Sequence, residues 1–217
     1  MRKLVSGYKK FREEVYPKHK TDFARLARSQ NPDTLFITCS DSRIDPSLIM
    51  QTKPGELFIV RNAGNIVSAH GDVNGGSSAT IEYAVNVLKV QNIVVCGHSD
   101  CGVMRALLHP ERLEKLPNVT QWLQYAARAR AVVDEICGEG HSDLEKVMEL
   151  ARQNVLAQVD NLRTHPCVAA AIVKRGLQLH AWIYHIEEGE IYASVTGQTD
   201  FVPLDSVPLP EDELVPA

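Results

Sequence analysis

The stretch NIVVCGHSDCG, residues 92–102, begins as an unbroken apolar run and ends in a polar turn that holds His98 and Cys101. A short apolar run without alternation reads as a strand buried on both faces, the signature of a parallel sheet. Two other stretches have the same shape. TLFITCSDSR (34–43) is an apolar run ending at Cys39, and GELFIVRNAGN (55–65) is a run that ends in a turn. Helical patterns follow both. In IDPSLIM (44–50) Asp45 and Pro46 suit a helix cap and first turn. After the glycine-rich loop GDVNGGSS (71–78), the segment ATIEYAVNVLKV (79–90) puts Ile81, Ala84, Val85 and Leu88 on one face. This alternation predicts an α/β fold, a central and mostly parallel β-sheet covered by helices on both faces.

The flanks add to this core. Residues 1–30 read as a helical arm, with Leu4, Val5, Tyr8, Phe11 and Val15 at helical spacing among charges, a break near Pro17, then Phe23 and Leu26. From Pro117 to Arg175 the pattern is helical. Trp122, Ala126, Ala129 and Val133 share a face, Ser142 and Glu145 form a capping box, and Pro166 and Gly176 bracket a shorter helix. LQLHAWIYHIEEGEIYASV (177–195) predicts a C-terminal β-hairpin turning at Glu188 and Gly189. The proline-rich, acidic tail (205–217) is expected to be loosely held. At 217 residues the whole chain (1–217) reads as a single domain able to bury a sizeable core.

A net charge of -4 gives no basic surface for nucleic acid. The first twenty residues carry charges every few positions and no apolar signal core, and no run approaches the ~20 apolar residues that span a bilayer. The expectation is a soluble, cytoplasmic protein with no membrane partner. Five cysteines are an odd number in such a chain, and favour metal or thiol chemistry over a disulfide framework.

Loops at the carboxyl ends of parallel strands share one edge of the sheet, where ligands usually bind. If the strands ending at Cys39 and His98 are neighbours, Cys39, His98 and Cys101 converge. Two thiolates and an imidazole then form a zinc site with a fourth position open to water or substrate. The plainer reading keeps both cysteines as buried small hydrophobes and His98 as a hydrogen-bonded turn residue. Asp41 and Arg43 follow Cys39 in the same loop. Asp41 either ligates zinc itself or accepts a hydrogen bond from a metal-bound water while Arg43 keeps it ionised; the alternative is a solvated surface ion pair. A zinc-bound hydroxide attacks small electrophilic carbons, and two thiolate ligands place its formation on the alkaline side of neutrality.

With CSDSR at 39–43, RNAGN at 61–65 and GHSDCG at 97–102, the chain resembles the β-class carbonic anhydrases over nearly its whole length. The resemblance implies reversible hydration of CO2 to bicarbonate, with one zinc per subunit on Cys39, His98 and Cys101 and an Asp41–Arg43 dyad in which the Asp can close on the metal. It implies a substrate pocket of Gln30, Phe58, Tyr83 and Gly102, built across a homodimer or a dimer-based higher oligomer whose subunits exchange N-terminal helices. Apart from the family, Phe58 and Tyr83 read as core. Members with an inhibitory bicarbonate site use a Trp where this chain has Phe36, beside positions matching Arg61 and Tyr184. Phe lacks the indole donor, so that site is not expected to work here.

Two rival readings accompany this one. Hydrolysis of carbonyl sulfide or carbon disulfide occurs on the same scaffold with the same ligands. A non-catalytic zinc scaffold protein would show damage around the metal, whereas Asp41, Arg43, Gln30 and Tyr83 are all present. Cys96, Cys137 and Cys167 read as structural, and His70, His109, His141, His165, His180 and His185 have no ligand-like partner in sequence.

Overall fold

The computed structural model describes residues 1–72, 75–195 and 200–207. Apolar runs become strands β1 (Thr34–Cys39), β2 (Leu57–Asn62), β3 (Asn92–His98), β4 (Gln178–His185), β5 (Glu190–Ser194) and β6 (Phe201–Pro203), joined in one sheet of order β2-β1-β3-β4-β5-β6. The first four strands in that order are parallel, and β5 and β6 return antiparallel. After β1 the chain crosses to β2 on one side, and it then enters β3 on the other. The loops after β1 and β3 therefore diverge and leave a crevice at the strand ends, the switch point at which open α/β sheets bind ligands.

Alternate strand residues serve different layers. Leu35, Ile37, Ile93, Val95 and Ile183 join the main core, together with Val147, Leu150, Ala151 and Val155 of the long helix between residues 143 and 164. The opposite face buries Phe36, Val94 and Cys96, with Met50, Trp182 and Tyr184 half-buried against them. The expectation of helices on both faces thus holds strongly on one side and thinly on the other.

The arm comprises α1 (Arg2–Lys10), a π-helical turn (Phe11–Val15), a 3-10 turn at Tyr16–His19 that contains Pro17, and α2 (Lys20–Leu26). Proline has no N–H to donate, which accounts for the break. Phe11, Tyr16 and Phe23 pack on one another, yet every residue from 1 to 30 is exposed except the half-buried Phe23 and Leu26.

The remaining helices are α3 (Pro46–Ile49), α4 (Gly76–Tyr83), α5 (Gly102–Leu108), α6 (Pro117–Leu123), α7 (Ala127–Ile136), α8 (Asp143–Thr164) and α9 (Pro166–Arg175). The expected caps form. Asp45 accepts from Leu48 N–H, Ser142 and Glu145 make the capping box, and Gly176 ends α9 in the left-handed region. Three features differ from the expectation. α4 begins at Gly76 instead of Ala79, because Gly76, Ser77 and Ser78 are tolerated in a first turn whose N–H groups need no intrahelical partner. α5 follows the metal-site turn directly, and β6 adds a third antiparallel strand beyond the hairpin. The expected tail starts with a 3-10 turn at Leu204–Ser206, and its residues 208–217 lie outside the described residues, as do Val73 and Asn74 of the glycine-rich loop.

Candidate metal centre

β1 and β3 are direct neighbours, with Thr38 opposite Cys96, so the strand ends carrying Cys39 and His98 lie side by side. The turn after β3 returns Cys101 to the same point, at the N-cap of α5. The ligand atoms of Cys39, His98 and Cys101 lie within 4.8 Å of one another, and all three residues are buried. Among the described residues this is the one such cluster of metal-ligating side chains.

His98 Nδ1 lies 2.9 Å from the Ser99 carbonyl. A carbonyl only accepts, so Nδ1 carries the proton and Nε2 presents a lone pair. That Nε2 is buried without a hydrogen-bond partner. A buried, unpaired acceptor beside two thiols is costly unless a cation takes its lone pair, so the residues present fit a metal ion.

The neighbouring Cys101 thiol holds the Cys39 sulfur well below the usual thiol range, aided by the Gly64 N–H at 3.4 Å, while Cys39 and burial push Cys101 itself up. Gly64 sits at φ +81°, a conformation that glycine adopts freely, and a Cβ there would lie 2.9 Å from Met104 Cε. This lets the backbone approach the sulfur. Cys96 shows the opposite behaviour: fully buried in β3, its thiol is pushed up to about 12.

Asp41 stands at the rim. Its Oδ1 accepts from the Arg43 backbone N–H and Nε, both at 3.0 Å, and its Oδ2 accepts from Nη2 at 2.8 Å. The bidentate guanidinium holds this carboxyl well below the usual carboxylate range. Oδ2 lies 3.8 Å from His98 Nε2, and the Asp41 side chain is only 18% exposed, so this is no solvated surface pair. Arg61 spans the backbone beneath, donating from Nε to the Cys39 carbonyl at 3.1 Å and from Nη2 to the Asp41 carbonyl at 2.7 Å. Phe36 is buried edge-on against Trp182 on the opposite face of the sheet.

The remaining expected pocket residues are only partly assembled within one chain. Phe58 and Tyr83 pack together with ring centroids 6.0 Å apart, Tyr83 remains 44% exposed, and Gly102 is the first residue of α5. Gln30 is exposed just beyond α2.

A ladder of amides on α8 was not legible in sequence. Asn154 donates to the Gly64 carbonyl at 3.0 Å, Gln158 accepts from Val67 N–H at 2.9 Å, and Asn161 donates to the Val67 carbonyl at 2.8 Å. Trp122 donates to the Ala63 carbonyl at 2.8 Å. These side chains clamp the loop that presents Gly64 to Cys39. Polar residues at helical spacing within an otherwise apolar face were the available signal.

A Cys2His cluster in the switch-point crevice, with an arginine-held carboxylate at its edge, defines the protein as an α/β type built around a cluster able to hold a metal ion. Residues 34–191 match the family described as carbonic anhydrase. A carbonic anhydrase of Pseudomonas aeruginosa is 48% identical over 96% of this chain and 94% of its own length. The solved structure of the β-carbonic anhydrase CcaA superposes with a TM-score of 0.90 at 42% identity, covering 94% of this chain and 91% of that one. A tetrameric β-carbonic anhydrase of Sordaria macrospora superposes at 0.71 with 35% identity, over 91% and 93%. The chain belongs to the β-carbonic anhydrases, enzymes of carbon dioxide hydration.

Proposed function

We propose that the chain hydrates CO2 reversibly to bicarbonate and a proton, with one zinc ion held by Cys39, His98 and Cys101. The observation that carries this reading is the buried, unpaired His98 Nε2 facing two thiols beside an ionised Asp41. Held by Cys39, His98 and Cys101, zinc would supply Lewis acidity that lowers the pKa of a water toward neutrality, and two thiolate ligands would keep that ionisation on the alkaline side.

The chain's own residues do the rest. Ionised Asp41 only accepts hydrogen bonds, so it would accept one from the attacking water or hydroxide and leave an oxygen lone pair aimed at the substrate carbon. Arg43 occupies both Asp41 oxygens, which favours orientation at the rim over closure onto the metal. Gln30 polarises a substrate oxygen, Phe58 and Tyr83 exclude water, and Gly102 leaves room at the start of α5. The exposure of Gln30 and Tyr83 supports a pocket completed by a second copy of the chain, with the arm as the exchanged element. No helix among the described residues is long and apolar enough to cross a membrane. A cytoplasmic setting is part of the proposal, since thiol ligands persist where thiols stay reduced.

The test is the initial rate of CO2 hydration by zinc-loaded protein, followed by stopped flow from about pH 6.5 to 9, a window that brackets the pKa expected of metal-bound water. A rate that rises to an alkaline plateau supports the reading, and absence of turnover at every pH with zinc bound rejects it.

A further inference from the structure

A chain of charged groups runs outward from the Asp41–Arg43 pair. Arg43 donates from Nη1 to Asp100 Oδ2 at 3.4 Å and from Nη2 to the Asp100 carbonyl at 3.0 Å. Asp100 Oδ1 accepts from Arg105 Nη2 at 2.7 Å. Arg105 Nη1 then pairs with Asp143, and Asp143 with His109 Nε2. The groups come from four places: the loop after β1, the turn after β3, the body and C-cap of α5, and the first turn of α8.

Half-exposed ion pairs of this kind contribute little singly. Three features set this series apart. Asp100 has φ +50°, the left-handed region that few residues other than glycine occupy, and there both its carboxylate and its carbonyl meet Arg43. The Arg43 guanidinium is consequently fixed on two sides, by Asp41 and by Asp100. The far end is anchored too. Arg130 donates from Nη1 to the carbonyls of Leu107 and Leu108 at 2.8 and 2.7 Å and holds the end of α5, and Asp143 lies where a helix N-terminus favours negative charge. Asp143 is held below the usual carboxylate range and Arg105 is raised, each chiefly by its partner in the series.

We propose that Asp100, braced by Arg105 and Asp143, is a positioning residue that locks Arg43 in place and thereby keeps the Asp41 carboxylate aimed at the metal-site rim. This rests on the role given to Asp41 above. Without the brace, Arg43 keeps one carboxylate partner and can rotate, and Asp41 loses its fixed direction.

Zinc-loaded Arg105→Gln, Asp143→Asn, Asp41→Asn and the Asp41→Asn/Arg105→Gln double variant are compared in CO2 hydration. Arg105→Gln is expected to lower kcat about tenfold, the usual effect of losing an outer partner, with zinc content and KM unchanged. Asp143→Asn acts in the same direction by about threefold, the weight of one half-exposed pair. The double variant turns over no more slowly than Asp41→Asn alone, because the brace works through Asp41. In cobalt-substituted protein the visible absorption of Arg105→Gln departs from wild type as Asp41 is released, and Asp41→Asn abolishes the departure. Wild-type kcat in both Arg105→Gln and Asp143→Asn, or effects that simply multiply in the double variant, overturns the brace. If Arg105→Gln does not fold, wild-type kcat in Asp143→Asn alone does so. Wild-type turnover in Asp41→Asn instead overturns the reading of Asp41. An impaired Asp41→Asn beside unimpaired brace variants rejects the brace by itself.

Discussion

Cys39 and Cys96 lie on adjacent strands of one sheet, and their surroundings push their thiols in opposite directions. At Cys96 burial outweighs the opposing effect of the Tyr184 backbone, so its thiol stays protonated. At Cys39 the neighbouring Cys101 thiol and the Gly64 N–H favour the thiolate, whereas Cys39 itself and burial disfavour one at Cys101. Zinc requires both sulfurs deprotonated, so zinc affinity is expected to rise with pH. Competition with a chelator between about pH 6.5 and 8 measures this, and an affinity independent of pH would count against thiolate ligation. Asp41 supplies the complementary test. Asp41→Asn keeps the size of the side chain and removes its charge, so zinc content is expected to hold while kcat falls by about tenfold or more. Stopped-flow rates against metal analysis check this, and undiminished kcat would remove Asp41 from the mechanism.

At the scale of elements, α8 both builds the core and holds the site. Its Val147, Leu150, Ala151 and Val155 pack under the sheet, and the next turns carry the amides that clamp residues 64–67. Gln158 is fully buried and joins Val67, Tyr125 and Asn154. Gln158→Leu leaves the Val67 N–H without its side-chain acceptor and removes one donor to the Tyr125 carbonyl, and is expected to cost about 2 kcal/mol of stability. Urea unfolding midpoints check this, with an unchanged midpoint counting against the clamp. The capping box at Ser142, the break at Pro17 and the hairpin turn at Gly189 were legible in sequence because each is local chemistry. The clamp was not, because Asn154 and Gly64 are ninety residues apart in the chain and meet only through packing.

At the scale of the whole molecule, the arm is the element that one chain leaves unpacked. Leu4 is 70% exposed and Tyr8 59%, and the second face of the sheet is thinly covered. An amphipathic helix gains most of its stability from tertiary burial. The proposed subunit exchange supplies that burial and a second wall for the pocket. Leu4→Glu is expected to shift the protein toward monomer in sedimentation velocity and to lower CO2 hydration in step. A monomer that retains full turnover would show that the pocket closes within one chain.

The α/β class, the strand positions, the hairpin and the three candidate ligands could all be read from residue order, because apolar periodicity, capping chemistry and the side-chain types that bind metal are local properties of the chain. That Cys39 and His98 actually converge depends on β1 and β3 being neighbours, and no local pattern specifies strand order. The state of each ionisable group also waited on the fold. Burial pushes the Cys96 thiol up, Arg43 holds the Asp41 carboxyl down, and the Ser99 carbonyl turns the lone pair of His98 toward the thiols. Charge and protonation answer to what stands within a few ångströms, and only packing decides which residues those are.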